Sequence, residues 1–295
     1  MRRFKILFQL LKVDHWIKNL YLFAPVFFGG QFLADNKIYK VAVGFLLFCL
    51  AASFVYIVND LIDAAIDRHH PKKQHRPIAS GQVTSKQAML VLFILFMLVI
   101  IFSWLLQREF FVFVIVYILI NLAYSIWLKH IPILDVSVIS FGFVLRVLAG
   151  GSLSAVVVSH WLIIMIYLLS MFLALAKRRE DLLLINNAAV DPSVRRSVNG
   201  YNIEFMQAAL VSMATVMVVC YIMYITSAEV KERLNFEYAY FNSFFVVAGV
   251  LKYLQIIFTD SKAASPTEVM LSNRFIQVCV LLWIFSFIIM LYFLK

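Results

Sequence analysis

The stretch VNDLIDAAIDRHHPKKQHRPIASG, residues 58–81, holds the chain's densest set of groups able to do chemistry. Asn59, Asp60, Asp63 and Asp67 fall at i, i+1, i+4 and i+8. Residues three and four apart stack on one side of a helix, so Asp60, Asp63 and Asp67 form one acidic stripe. The stripe closes a long apolar run. It therefore sits at a helix C-terminus, where the helix dipole disfavours negative charge. Something cationic has to compensate it. Mg2+ suits the position, because it takes oxygen ligands and is usually held by one or two carboxylates together with substrate phosphates. Asp60, Asp63 and Asp67 are thus the candidate metal ligands, Asn59 the residue that orients them, and a diphosphate the candidate ligand. The plain structural alternative is a solvated acidic end paired with nearby Arg and Lys.

Cations follow directly. Arg68, Lys72, Lys73 and Arg76 offer phosphate contacts, the arginines with bidentate geometry. His69, His70 and His75 carry ligand atoms, although histidines in a polar loop are usually only solvated. Pro77 and Gly81 read as turn residues, and Thr84 or Ser85 as the cap of the next helix.

The elements that must position these groups lie in oil. Of 295 residues 63% are hydrophobic and only 14% charged, against about 25% charged in a soluble domain, and mean hydropathy is +0.91. In lipid every backbone polar group needs an internal partner, so an all-α integral membrane protein is expected. Apolar runs predict nine transmembrane helices, at 17–34, 39–60, 87–106, 110–128, 136–157, 161–176, 204–227, 238–258 and 275–294. No Gly/Ser linker or short repeat divides them, so residues 1–295 read as a single helical domain. Most of the 26 Lys and Arg fall on one side: the N-terminal segment, the loop after the second span, Lys129, the 177–196 loop and the 252–274 region. The positive-inside rule then places the N-terminus in the cytoplasm. The net charge of +10 follows largely from that topology; the expected surroundings are membrane lipids, with no nucleic-acid partner. Cys49, Cys220 and Cys279 lie inside apolar runs without CxxC spacing and read as small buried hydrophobes. The basic N-terminus lacks the pattern of a cleavable signal peptide. The 28 Phe read as lipid-facing or core rings.

NDLIDAAIDRHHPKKQHRPIASG resembles the first aspartate-rich motif of the UbiA superfamily of intramembrane prenyltransferases, NDxxDxxxD followed by RPxxSG. YSIWLK, Tyr124 to Lys129, is similar to that family's YSxxLK segment. The resemblance implies a nine-helix UbiA-type bundle whose active-site cavity faces the cytoplasm. Most members carry a second aspartate-rich motif between spans six and seven, and here the chain departs. LAKRREDLLLINNAAVDPSVRRSVNGYNIEF contains Glu180, Asp181 and Asp191, but also Lys177, Arg178, Arg179, Arg195 and Arg196. That departure resembles the polyprenyl-phosphate phosphoribosyltransferase branch, as do DHWIKNLYLFAP, LDVSVISFGFVLRVLAGG, KRREDL with RRSVNGY, and PTEVMLSNRFIQ.

In that branch the donor is phosphoribosyl pyrophosphate (PRPP) and the acceptor a polyprenyl phosphate. The resemblance implies Mg2+ on Asp60, Asp63 and Asp67, with Arg76, Lys73 or Lys129 stabilising the leaving diphosphate. Lys18, Lys177, Arg178 and Arg195 are the candidates for the ribose 5-phosphate and the lipid phosphate. Arg68, Tyr124 and Tyr201 complete the phosphate-binding set, and a bacterial inner membrane is the implied location. Two other readings stand beside it. One is transfer of a prenyl group from a prenyl diphosphate to an aromatic or other acceptor. The other is a lipid transporter, which the concentration of charge at one surface disfavours.

Arg146 stands apart. It lies about 16 Å of helix rise beyond Asp135, near mid-membrane, where a charge needs an interior partner. An anchor for helix packing and a lining of the substrate cavity are both open to it.

Overall fold

The computed structural model describes residues 2–30, 37–69, 73–186, 200–234, 237–259 and 266–293, and every regular element among them is helical. The chain divides into two compact units, Met1–Val158 with Val190–Asn199, and Ser159–Ala189 with Gly200–Lys295.

The first unit contains α1 (Arg2–Leu11), a 3-10 helix (Val13–Phe23), α2 (Ala24–Phe28), α3 (Lys37–Asp67), α4 (Ser85–Leu106), α5 (Arg108–Ile126) and α6 (Leu134–Ser154). The second contains α7 (His160–Asn186), α8 (Ile203–Thr226), α9 (Ala228–Leu234), α10 (Ser243–Thr259), α11 (Pro266–Ser272) and α12 (Arg274–Tyr292). Eight of these helices are long and apolar enough to cross a membrane, namely α3 to α8, α10 and α12. The protein is an integral membrane protein.

Eight expected spans coincide with these helices; in the ninth, at 17–34, the described residues run only to 30 and are built differently. A 3-10 helix runs to Phe23, α2 lasts five residues, and the chain turns at Gly29 and Gly30, the latter at φ 65°. Pro25 at the start of α2 supplies no N–H. Buried Asn19 has to be satisfied sideways, by Cys49 and Arg146. The segment packs along α6, and Gly150 makes the approach possible: a Cβ there would lie 1.9 Å from the Leu22 carbonyl oxygen.

Two helices also exceed their apolar runs. The α3 helix continues through the whole acidic stripe to Asp67, and α7 continues past residue 176 to Asn186. The KRRED segment, expected in a loop, is therefore helical. Its residues are good helix formers, and Lys177–Glu180 and Arg178–Asp181 pair at i,i+3.

In the first unit α3 and α6 are the inner helices, buried over 56% and 61% of their apolar windows, whereas α4 is buried over 17% and turns its apolar surface outward. Their core joins Leu47, Phe48, Val55, Phe110, Tyr117 and Leu153, with the Phe48 and Tyr117 rings 4.7 Å apart. The α4 helix starts at a full capping box, Thr84 with Gln87. In the second unit α7 packs on α8, and α10 on α12 and α8. There Trp283 Nε1 donates to the Tyr221 hydroxyl at 2.7 Å, and that hydroxyl donates to Asn242.

Candidate functional site

Because α3 stays helical to its end, Asp60 and Asp67 are two turns apart on one face, separated by about 10 Å of rise. Their side chains converge on a single nitrogen. Arg76 NH1 donates to Asp60 Oδ1 at 2.9 Å and to Asp67 Oδ2 at 2.6 Å. Arg76 is set there by the turn after α3, in which its N–H donates to the Lys73 carbonyl and the Arg76 carbonyl accepts from the Ser80 hydroxyl. Gly81, at φ +76°, completes the turn.

Lys12 Nζ adds a second cation on Asp60 Oδ1, at 2.6 Å, and Lys73 lies 3.7 Å from Asp67. Asp60 and Asp67 are 3% and 2% exposed; carboxylates so buried require partners, and here they have them. Asp63 faces elsewhere. Lys129 donates to its Oδ1 at 2.7 Å and Asn59 to its Oδ2 at 3.1 Å.

Lys12 joins α1 to the 3-10 helix in the left-handed conformation, φ 49° and ψ 52°. A non-glycine residue held there costs on the order of 1 kcal/mol, and the pairing with Asp60 holds it. Burial lowers the Lys12 pKa below its ordinary value, an effect that the charge of Asp60 opposes. Beside it, burial pushes His15 down to about 4, reinforced by Lys18.

These contacts test the donor set for a metal. Two oxygen donors already share one positive centre, occupied by Arg76 NH1, which is the arrangement a hard divalent cation with few protein ligands uses. Among the described residues, no three His, Cys, Asp or Glu converge as a ready metal cluster. Asp60 and Asp67 fit a divalent ion that completes its shell with other oxygens, and Asp63 belongs to the neighbouring Lys129 pair.

Arg146 is 5% exposed. Its Nε donates to Asn19 Oδ1 at 2.7 Å, NH1 to the Gly142 carbonyl at 2.7 Å and NH2 to the Tyr117 hydroxyl at 3.0 Å. Phe48, Tyr117 and Phe143 surround it at 4.8–5.4 Å. This is the geometry of a packing anchor tying α6 to the 3-10 segment and α5.

The other sequence candidates are distributed as follows. Lys18 and Arg68 are exposed, and Tyr124 is half-buried on α5. In the second unit, exposed Lys177 pairs with Glu180 and half-buried Arg178 lies 3.5 Å from Asp181. Tyr201 is buried and stacks on Phe205, with centroids 6.0 Å apart. Arg195, together with His70, Lys72, Asp191 and Arg196, lies outside the described residues. Sequence reasoning missed Lys12, which it read as a topological charge. Its partner lies 48 residues away, and no local pattern announces the contact.

A model of the UbiA prenyltransferase family matches residues 22–276. The decaprenyl-phosphate phosphoribosyltransferase of Mycolicibacterium smegmatis is 32% identical, over 94% of this chain and 90% of its own length. That of Corynebacterium glutamicum is 30% identical, over 96% and 85%. A solved UbiA homolog from Archaeoglobus fulgidus, bound to GPP and Mg2+, shares the fold with a TM-score of 0.70, at 18% identity over 96% of this chain and 98% of the other. With the aspartate stripe intact at the end of α3 and the match running almost from end to end, the chain belongs to the UbiA prenyltransferase family, a family of transferases.

Proposed function

We propose that this protein transfers a 5-phosphoribosyl group from PRPP to a polyprenyl phosphate and releases diphosphate, with Mg2+ as cofactor. One observation carries the chemistry: Asp60 and Asp67 holding a single positive centre between them, with Lys12, Lys73 and Lys129 at hand. Similarity along nine-tenths of the chain to two decaprenyl-phosphate phosphoribosyltransferases supports the choice of donor and acceptor.

Asp60, Asp67 and, after leaving Lys129, Asp63 are the proposed metal ligands, and Asn59 holds the Asp63 carboxylate. Bound there, Mg2+ would neutralise charge on the diphosphate. Arg76, Lys73 and Lys129 have the charge and reach to meet phosphate oxygens once their aspartates are shared. They stabilise negative charge as the bond from ribose C1 to the diphosphate oxygen breaks. A lipid phosphate oxygen forms the new bond to C1. A phosphate monoester, with a second pKa of about 6, is already anionic at neutral pH, so no side chain has to act as a strong base. Lys18, Arg68, Tyr124, Lys177, Arg178, Arg195 and Tyr201 are the remaining proposed phosphate contacts. We also propose nine crossings of a bacterial inner membrane as a single domain, the first over 17–34, with the N-terminus and the active-site mouth on the cytoplasmic side.

The test uses purified protein, Mg2+ and mass analysis of the lipid. One tube receives PRPP and a polyprenyl phosphate, the other a prenyl diphosphate and 4-hydroxybenzoate. Phosphopentosylated lipid in the first tube is the expected result. Product only in the second would replace the proposal with prenyl transfer.

A further inference from the structure

Arg146 shows what a structural arginine looks like in this protein: three hydrogen bonds and three flanking rings. Arg179 is buried almost as deeply, at 9% exposure, and has nothing comparable. Its Nε is buried without a hydrogen-bond partner. The two carboxylates next to it in sequence are used by others, Glu180 by Lys177 and Asp181 by Arg178. What Arg179 does meet is a ring, with its guanidinium carbon 5.5 Å from the centre of Phe258 on α10.

A second orphan lies on the helix that supplies this ring. The Tyr253 hydroxyl is also buried without a hydrogen-bond partner, on a residue 5% exposed. Side chains of the two helices meet there. Phe172 and Arg179 are seven residues apart and so share one face of α7; Phe172 packs on the Tyr253 ring with centroids 5.3 Å apart, and Arg179 on Phe258. Arg179 on α7, whose Nε has no hydrogen-bond partner, and Tyr253 on α10, whose hydroxyl has none, thus lie within electrostatic reach of each other, with Glu180 acting on the same hydroxyl. Buried donors without acceptors are costly, a charged one most of all. Such a pair persists where an acceptor of opposite charge visits. A planar fork of N–H groups beside one O–H is suited to a tetrahedral oxyanion.

We propose that Arg179 and Tyr253 form an anion subsite in the second unit that takes a phosphomonoester group of a substrate, Arg179 as the fork and Tyr253 as the single donor. The identity of the substrates rests on the transfer reading above, which supplies two such groups, the ribose 5-phosphate and the lipid phosphate.

The experiment is thermal unfolding of the full-length purified protein in detergent, without added metal, followed by tryptophan fluorescence. Ribose 5-phosphate, a short-chain polyprenyl phosphate and inorganic phosphate are each titrated. Ligand-dependent stabilisation grows with the ratio of concentration to Kd. Wild type should be stabilised by at least one phosphomonoester. Ribose 5-phosphate alone would assign the subsite to the donor, and the polyprenyl phosphate alone to the acceptor. Arg179→Met should leave the ligand-free Tm unchanged or raise it, because it removes a buried cation whose Nε has no hydrogen-bond partner, and should shift the half-maximal ligand concentration at least tenfold. Arg179→Lys and Tyr253→Phe should each weaken the response severalfold, and they keep the test decisive if Arg179→Met does not fold. A fall in ligand-free Tm with an unchanged ligand response would overturn the subsite and make Arg179 a packing residue. No response of wild type to any of the three would overturn it as well. Absence of phosphoribosyl transfer alongside an intact, Arg179-dependent response would sink the reaction and leave the subsite standing.

Discussion

Replacing Arg146 with methionine tests whether that residue holds the first unit together. The substitution keeps an unbranched side chain and deletes three donors. The Gly142 carbonyl is at an i−4 position within α6 and keeps its place in the helix ladder. Asn19 Oδ1 and the Tyr117 hydroxyl lose a charged partner, at roughly 1–3 kcal/mol each for a buried group left unsatisfied. The contacts with Phe48, Tyr117 and Phe143 add about 0.5–2 kcal/mol apiece at most. Against this, removing a buried charge returns its desolvation penalty, several kcal/mol. The balance is a loss of about 2–4 kcal/mol, or a fall in Tm on the order of 10 °C at roughly 2–4 °C per kcal/mol. Arg146→Lys should fall at least as far, since one ammonium cannot reach three partners and stays buried. The assay is thermal unfolding in detergent by tryptophan fluorescence, with size-exclusion profiles as a check on folding. A Met variant within 1 °C of wild type that has lost substrate binding would refute the anchor and place Arg146 in the substrate cavity.

Three further outcomes are expected. Gly150→Ala should be severely destabilising, because its Cβ would enter the Leu22 backbone at 1.9 Å, while Gly249→Ala, whose nearest neighbour is Cys279 Cβ at 3.6 Å, should be neutral or gain up to about 1 kcal/mol of helix propensity; paired unfolding curves check both. Asp63→Asn keeps the shape at Lys129 but removes the charge, and should abolish turnover in protein that still elutes as folded; wild-type-like turnover would remove Asp63 from the metal set. His15, pushed down to about 4 mainly by burial, stays neutral in the folded state where the unfolded chain takes up a proton. Stability should therefore drop as pH falls from about 6.5 to about 4, and His15→Gln should flatten that part of the profile, as read by Tm at half-unit pH steps.

The long helices were legible because hydropathy alone specifies them. The expected span at 87–106 is Ser85–Leu106, and 204–227 is Ile203–Thr226. Thr84 or Ser85 was legible as a cap from side-chain chemistry, and the structure selects Thr84. Hydropathy misleads where a polar segment continues a helix, as Lys177 to Asn186 does, because i,i+3 ion pairs let Arg179, Glu180 and Asp181 be buried without being apolar. Nor does hydropathy disclose the local form of Val13–Phe23, a 3-10 helix in which Asn19 meets Arg146. In the candidate site, spacing alone disclosed the acidic stripe. Its division into an Asp60–Arg76–Asp67 bridge and a separate Asp63–Lys129 pair depends on contacts up to 66 residues apart, which no spacing encodes. Arg179 became visible only through what it fails to touch.

The bond between Asn19 and Arg146 has a consequence for how the chain is made. The two partners are 127 residues apart, so at about 5–20 residues per second the ribosome adds the second roughly 6–25 seconds after the first. During that interval the Asn19 side-chain oxygen lacks its Arg146 donor, although the amide nitrogen can already reach Cys49, and Leu22 has no Gly150 to lie against. A segment made early therefore completes its contacts only after α6 is made. It is seated only when α6 is delivered, and any slowing of synthesis between these positions prolongs the period in which quality-control proteases find it loose.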